Sequence, residues 1–231
     1  MHPFFTQIRK GLIVSCQAEG DSPFNNPEGV ASFAICAEMG GAVAIRSEGV
    51  QNIREIRNKV SLPLIGLIKS SFPDGSVRIT GSKKEVNHLM EAGCGIIAID
   101  GTMRLREGMT GPGFIRMVKA SYQVLVMADI ASHPEAQACI EAGADCISTT
   151  LSGYTPATMS QELKGPDFAL LEKLVSMAGY DTPIIAEGRY NTPELARKAI
   201  EKGAWAVVSG TAITRPQTIT KWFYDAINQK I

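Results

Sequence analysis

An excess of charge of either sign is missing from this sequence: Lys and Arg number 23, and Asp and Glu also 23. With no net field, nucleic acid and anionic membrane surfaces are not expected partners, whereas small anions need only local donors. Histidine is scarce, with three copies at His2, His88 and His133. None closes an apolar run of strand length, so no strand-end metal cluster is expected. The five cysteines, Cys16, Cys36, Cys94, Cys139 and Cys146, show no CxxC spacing and lie in apolar contexts, as reduced thiols acting as small hydrophobes do. No apolar run approaches the roughly 18 residues of a membrane span. The opening MHPFFTQIRK lacks the apolar core of a signal peptide, and no GxGxxG follows the first apolar run. These absences lead to the expectation of a cytoplasmic protein with no metal and no cofactor.

What is present is a rhythm. Short runs rich in Val and Ile recur at 11–16, 42–46, 64–69, 95–100, 124–129, 146–150, 184–187 and 206–210. Most show no polar alternation, the pattern of parallel strands buried on both faces. Amphipathic stretches separate them. In SKKEVNHLMEAG, Val86, Leu89 and Met90 fall on one helical face; SHPEAQACIEAG sets Ser132 and Glu135 at capping-box spacing; TPELARKAIEKG sets Thr192 as N-cap with Pro193 in the first turn. Further helices are expected at about 27–40, 49–58, 112–121, 167–179 and 216–228. Gly40, Gly93, Gly143 and Gly203 stand between helix and strand, where a left-handed turn is needed. Eight strands alternating with eight helices over 231 residues predict one α/β domain, residues 1–231, closed as a (β/α)8 TIM barrel of the phosphate-binding type.

Chemistry in such barrels gathers where the strands end. In order those ends carry Cys16-Gln17, Arg46, Lys69, Asp100, Asp129, Thr149-Thr150, Glu187-Gly188 and Ser209-Gly210. A polar residue also simply marks where a strand meets solvent, but Arg46, Lys69, Asp129 and Glu187 together would converge on one mouth. Residues 151–166 form a long loop suited to covering a ligand, and 17–26 and 70–81 are further candidates. After the last two strands come EGRYNTPE and SGTAITRP. Gly188, Gly210 and Thr211 could bring backbone amides to a phosphate, with Arg189 and Arg215 as charge partners. A phosphorylated carbonyl compound and a site of Lys, Glu and Asp suggest proton transfer beside the carbonyl. Lys69 could carry the proton or form a Schiff base.

The stretches GLIVSCQA, PLIGLIK, IIAIDGT, TTLSGYT, IIAEGRYNTPE and GAWAVVSGTAITRP resemble bacterial N-acetylmannosamine-6-phosphate 2-epimerases over nearly the whole chain. The match departs at Ser70 and Ser71, where the family often has a basic then an acidic residue, and at Ile130, where it has a polar one. The resemblance implies an isomerase that interconverts N-acetylmannosamine 6-phosphate and N-acetylglucosamine 6-phosphate in sialic acid catabolism. It implies Lys69 as the base at C2 and Glu187 as its acid/base partner. Gln17, Arg46, Asp129 and Arg215 would contact the substrate, and Gly188, Gly210 and Thr211 its phosphate. The rivals are a Schiff-base lyase of the aldolase kind and a barrel that only binds phosphosugars. A homodimer is the expected assembly, from the habit of barrels.

Overall fold

The computed structural model describes residues 1–74, 76–161 and 163–228; Gly75 and Glu162, in the expected loops 70–81 and 151–166, lie outside the described residues. The chain opens on a short helix with no counterpart in the sequence reading, α1 (Pro3–Ile8), capped where His2 accepts the Phe4 amide. There follow β1 (Leu12–Cys16), α2 (Pro27–Met39), β2 (Ala44–Glu48), α3 (Val50–Lys59), β3 (Leu64–Leu67), β4 (Lys69–Ser71), β5 (Val77–Ile79), α4 (Lys83–Glu91), β6 (Ile96–Asp100) and α5 (Gly111–Ser121). The second half runs β7 (Leu125–Asp129), α6 (His133–Glu141), β8 (Cys146–Ser148), α7 (Phe168–Ala178), β9 (Ile184–Glu187), α8 (Pro193–Glu201), β10 (Ala206–Ser209), α9 (Thr211–Thr214) and α10 (Pro216–Asn228).

Eight of the strands close a parallel barrel in the order β1-β10-β9-β8-β7-β6-β3-β2, so the fold is the expected (β/α)8 barrel. Side chains alternate across each strand. Ile13, Ala44, Ile65, Ala98, Met127, Cys146, Ile185 and Val208 fill the interior, and Phe4, Phe5 and Ile8 of α1 join that cluster. Their neighbours Val14, Ile45, Ile97, Val126, Ala128, Ile147 and Ala186 pack outward under the helices with Val30, Ile53, Leu89, Phe114 and Leu171. Being apolar on both faces is what gives the strands their unbroken Val and Ile runs.

Local expectations hold with some corrections. Thr192 caps α8 by accepting the Leu195 amide, with Pro193 in its first turn. Ser132 makes no such bond to α6, and Glu135 accepts from the Ala131 amide rather than from that of Ser132, so the expected box is not formed. Gly93, Gly143 and Gly203 take positive φ, but Gly40 ends α2 in the right-handed region and Gly41 makes the left-handed turn, at φ 88°. The largest difference concerns the run 64–69. The barrel strand stops at Leu67, and Lys69 begins β4, antiparallel to β5 in a separate hairpin. Ile68 marks the change: its amide donates to Thr80 Oγ1 and its carbonyl accepts from the Thr80 amide, so pairing with 77–80 takes the chain over from the barrel.

The last helix is unusual. No residue of α10 is buried, and Trp222, Phe223, Tyr224 and Ile227 are exposed. No described helix is long and apolar enough to cross a membrane.

Candidate active site at the C-terminal mouth of the barrel

Continuing the alternation past the apolar layers puts Ser15, Arg46, Asp100, Asp129, Ser148 and Glu187 at the inward-facing ends of their strands. Register aligns them, with Ser15 opposite Arg46, Asp100 opposite Asp129, and Asp129 opposite Ser148. A polar layer thus caps the apolar interior, and within it the charges sort into two groups. Asp100 is fully buried and holds Arg104 at 2.5 Å and Arg106 at 2.9 Å. That group fastens the 101–110 segment, so the strand-end carboxylate at Asp100 is a structural anchor.

The second group is Arg46, Asp129 and Glu187. Arg46 donates to both oxygens of Asp129, at 3.2 and 2.6 Å, and its Nε lies 3.3 Å from Glu187 Oε1. Thr150 Oγ1 stands between the two carboxylates, 2.7 Å from Asp129 and 3.0 Å from Glu187, and Ser148 Oγ lies 3.2 Å from Glu187. Two acids sharing one guanidinium cannot both ionise cheaply out of water. Burial raises the Glu187 and Asp129 carboxyls above their ordinary values, with Arg46 opposing in both cases. Burial works against the Arg46 charge too, but Asp129 and Glu187 outweigh it and hold the guanidinium firmly protonated. The arrangement can therefore keep a proton available on the acid pair.

Above this floor lies a cavity of about 310 Å³, lined by Gln17, Lys69, Thr150, Tyr154, Glu187, Gly188, Arg189, Gly210, Thr211 and Arg215 among others. Lys69 and Glu187, remote in sequence, share one wall system. Arg46 and Asp129, expected to contact a ligand, are not on that wall; they sit beneath it, 1 % and 0 % exposed. Lys69 does not end a barrel strand, contrary to the expectation from the run 64–69. Its side chain is 36 % exposed, carried on β4 over the mouth, with Nζ 2.7 Å from Glu19 Oε1. Gln17 is steadied by a 2.8 Å bond from its amide to Ser15 Oγ.

The glycine turns meet at one end of the cavity. Gly188 sits at φ 109°, a left-handed conformation that a side chain would strain. Gly210 passes close to β1, where an added Cβ would meet Ser15 Cβ at 3.2 Å. Thr211 begins α9, so its amide has no partner within that helix. Of the two arginines, Arg215 reaches Glu19 at 2.9 Å. Arg189 donates to the Ser152 carbonyl and lies over the Tyr154 ring at 4.1 Å. It ties the 151–166 segment to the mouth, and the described part of that segment includes a 3₁₀ turn at Met159–Gln161.

Sequence reasoning missed three contributors. Glu19 lies in the flagged loop 17–26, but nothing marked it among the other polar residues there. Thr150 was visible as a strand end without a charge to draw notice. Tyr154 stood inside TTLSGYT. Among the described residues no group of three or more His, Cys, Asp or Glu could hold a metal ion.

Comparison with known proteins agrees along the chain. Residues 30–229 match the family model described as "Putative N-acetylmannosamine-6-phosphate epimerase". A protein of Caldanaerobacter subterraneus subsp. tengcongensis carrying that name as a 2-epimerase is 47% identical over 226 residues, 97% of this chain and 94% of its own. One of Clostridioides difficile, named alike, is 46% identical over 222 residues, covering 96% and 97%. The solved structure of the N-acetylmannosamine-6-phosphate 2-epimerase from Clostridium perfringens superposes with a TM-score of 0.90 at 42% identity, covering 97% of this chain and 96% of that one.

Proposed function

The chain belongs to the N-acetylmannosamine-6-phosphate epimerase family, and we propose from its site how it interconverts N-acetyl-D-mannosamine 6-phosphate and N-acetyl-D-glucosamine 6-phosphate in sialic acid breakdown. It is an isomerase: one proton leaves C2 and one returns to the opposite face. The observation that carries the reading is that Lys69 and Glu187 open onto the same cavity, beside a glycine-lined end fit for a phosphate.

In the open-chain sugar the C1 aldehyde acidifies the C2 proton. Lys69 takes that proton, and the electron pair moves into an enolate at C1. Glu187, whose carboxyl burial raises above its ordinary value, donates to the oxygen where charge develops and serves likewise in opening the ring. Once the intermediate or the amine reorients, Lys69 returns its proton to C2 on the other face, and the enol oxygen gives its proton back to Glu187, which completes the cycle. Arg46, Asp129 and Thr150 hold Glu187 in place from below. Gln17 and Arg215 orient the sugar, and the amides at Gly188, Gly210 and Thr211, with Arg189 nearby, receive the phosphate. The test is proton NMR in D2O with N-acetylmannosamine 6-phosphate: deuterium entering C2 together with epimer formation supports the reading. Binding without exchange defeats it, and a borohydride-trapped adduct on Lys69 supports a lyase instead.

The same reading includes one barrel domain over residues 1–231, cytoplasmic placement and a homodimer. Five unpaired cysteines, four of them buried, suit a reducing compartment. The dimer is supported by the exposed aromatic face of α10 and by an apolar hollow of about 390 Å³ bordered by Leu12, Pro193, Ala196 and Ile213. A second copy's α10 would cover both.

A further inference from the structure

Three charged groups meet at the mouth, and the reaction above employs two of them. Glu19, on the segment between β1 and α2, puts Oε1 2.7 Å from Lys69 Nζ and 2.9 Å from Arg215 Nη2, and Oε2 3.0 Å from Arg215 Nη1. One carboxylate thus ties together three separate loops. Among the described residues neither cation has another ion-pair partner. The segment bearing Glu19 is itself anchored: Gln17 is bonded to Ser15, Asn25 donates to the Gly20 carbonyl at 2.9 Å, and the Phe24 ring packs tilted against Phe33 of α2, centroids 4.7 Å apart. The side chain of Glu19 itself is 52 % exposed.

We propose that Glu19 is an internal anion that occupies Lys69 and Arg215 and must be displaced by the anionic substrate, which makes it a positioning and specificity residue of the epimerase. The inference rests on the reading that Arg215 contacts the phosphosugar, and takes that contact to include its phosphate charge. A bidentate carboxylate on a guanidinium occupies the same donors that a phosphate oxygen would use. The cations hold Glu19 ionised: its carboxyl is lowered to about 2, first by the hydrogen bond from Arg215 and then by Lys69, against burial. A weakly bound anion would not free both cations, whereas a phosphosugar held also at Gly188 and Gly210 would. Release of Lys69 from its carboxylate then accompanies binding, so the amine becomes available when substrate is present.

The experiment measures the affinity of inorganic phosphate by calorimetry at low salt for the wild type, Glu19→Gln, Arg215→Gln and the double variant. Exposed ion pairs of this kind are weak individually, so Glu19→Gln is expected to bind phosphate about three- to tenfold more tightly. The gain should shrink to nearly nothing in the Arg215→Gln background. Unchanged or weaker phosphate binding by Glu19→Gln would overturn the proposal, as would an undiminished gain without Arg215. A residue with a merely structural role would not tighten an anion. In turnover, KM for the phosphosugar should fall with Glu19→Gln, while a rise would make Glu19 a substrate contact and sink the idea. The calorimetry needs no turnover, so it stands apart from failure of the epimerase reading, which the exchange of C2 protons decides.

Discussion

Arg46 Nη2 lies 2.6 Å from Asp129 Oδ2, and neither side chain reaches solvent. The two residues stand on strands more than eighty positions apart, Arg46 within β2 and Asp129 at the end of β7, and the pair forms the floor on which Glu187 rests. A buried ion pair contributes little net stability when intact, yet breaking it leaves a charge without a partner.

Replacing Arg46 by methionine is therefore expected to destabilise the fold by about 3–5 kcal/mol. Adding Asp129→Asn should recover part of the loss. Urea midpoints of the single and double variants decide the matter; a single variant as stable as the wild type would remove the pair from its supporting role.

Lys69→Ala should abolish entry of deuterium at C2 while binding of the sugar phosphate survives. The amine is exposed on a hairpin outside the barrel, so its removal leaves the core intact. Exchange persisting at the wild-type rate would reassign the base.

Glu187→Gln is expected to lower kcat by about 10²–10⁴-fold with little change in affinity. It also tests the buried proton. The folded Glu187 carboxyl is raised by burial, so the folded protein binds its proton more tightly than the unfolded chain does. That contribution to stability is complete below the ordinary carboxylate range and is lost as pH rises through the raised value. The decline in urea midpoint over that rise should be shallower in the variant, since an amide carries no such proton. An identical decline in both would place the proton elsewhere, Asp129 being raised in the same direction.

Gly188→Ala should raise KM for the phosphosugar and leave kcat near normal. There is room for the methyl group, the nearest atom being 3.8 Å away, so the cost is the positive φ alone, about 1–3 kcal/mol. Relaxation of that backbone would withdraw amides from the phosphate. Unchanged phosphate affinity would exclude this turn from the anion site.

Light scattering is expected to return twice the chain mass, and Phe223→Asp on the exposed face of α10 to return the mass of one chain with the far-UV spectrum preserved. A wild-type protein of single-chain mass would refute the dimer.

The barrel was legible because its signal is local and repeated. Apolar runs, helix faces and caps such as Thr192 and Pro193 each depend on residues a few positions apart. The site was legible as a set of strand ends, since a charge closing an apolar run is conspicuous. Its internal arrangement was not. Arg46 and Asp129 look like Lys69 and Glu187 in sequence, yet the former pair lies under the cavity and the latter lines it. Lys69 seemed to finish a barrel strand because LIGLIK is continuous in its hydrophobicity; the break at Leu67 depends on Thr80 pairing with Ile68, a contact across a loop.

The sequence by itself determined the periodicities: which residues are apolar, how often they recur, and hence how many strands and helices form and which side chains face inward at each strand end. Which of those side chains meet was left to barrel closure and strand register. Register sets whether an inward charge stands level with a partner or a turn above it, and the energy of bringing charges together depends on separation and burial. Neither quantity exists along a linear chain, so the buried acid pair, the exposed lysine and the Glu19 bridge became distinct only once the ring of strands had closed.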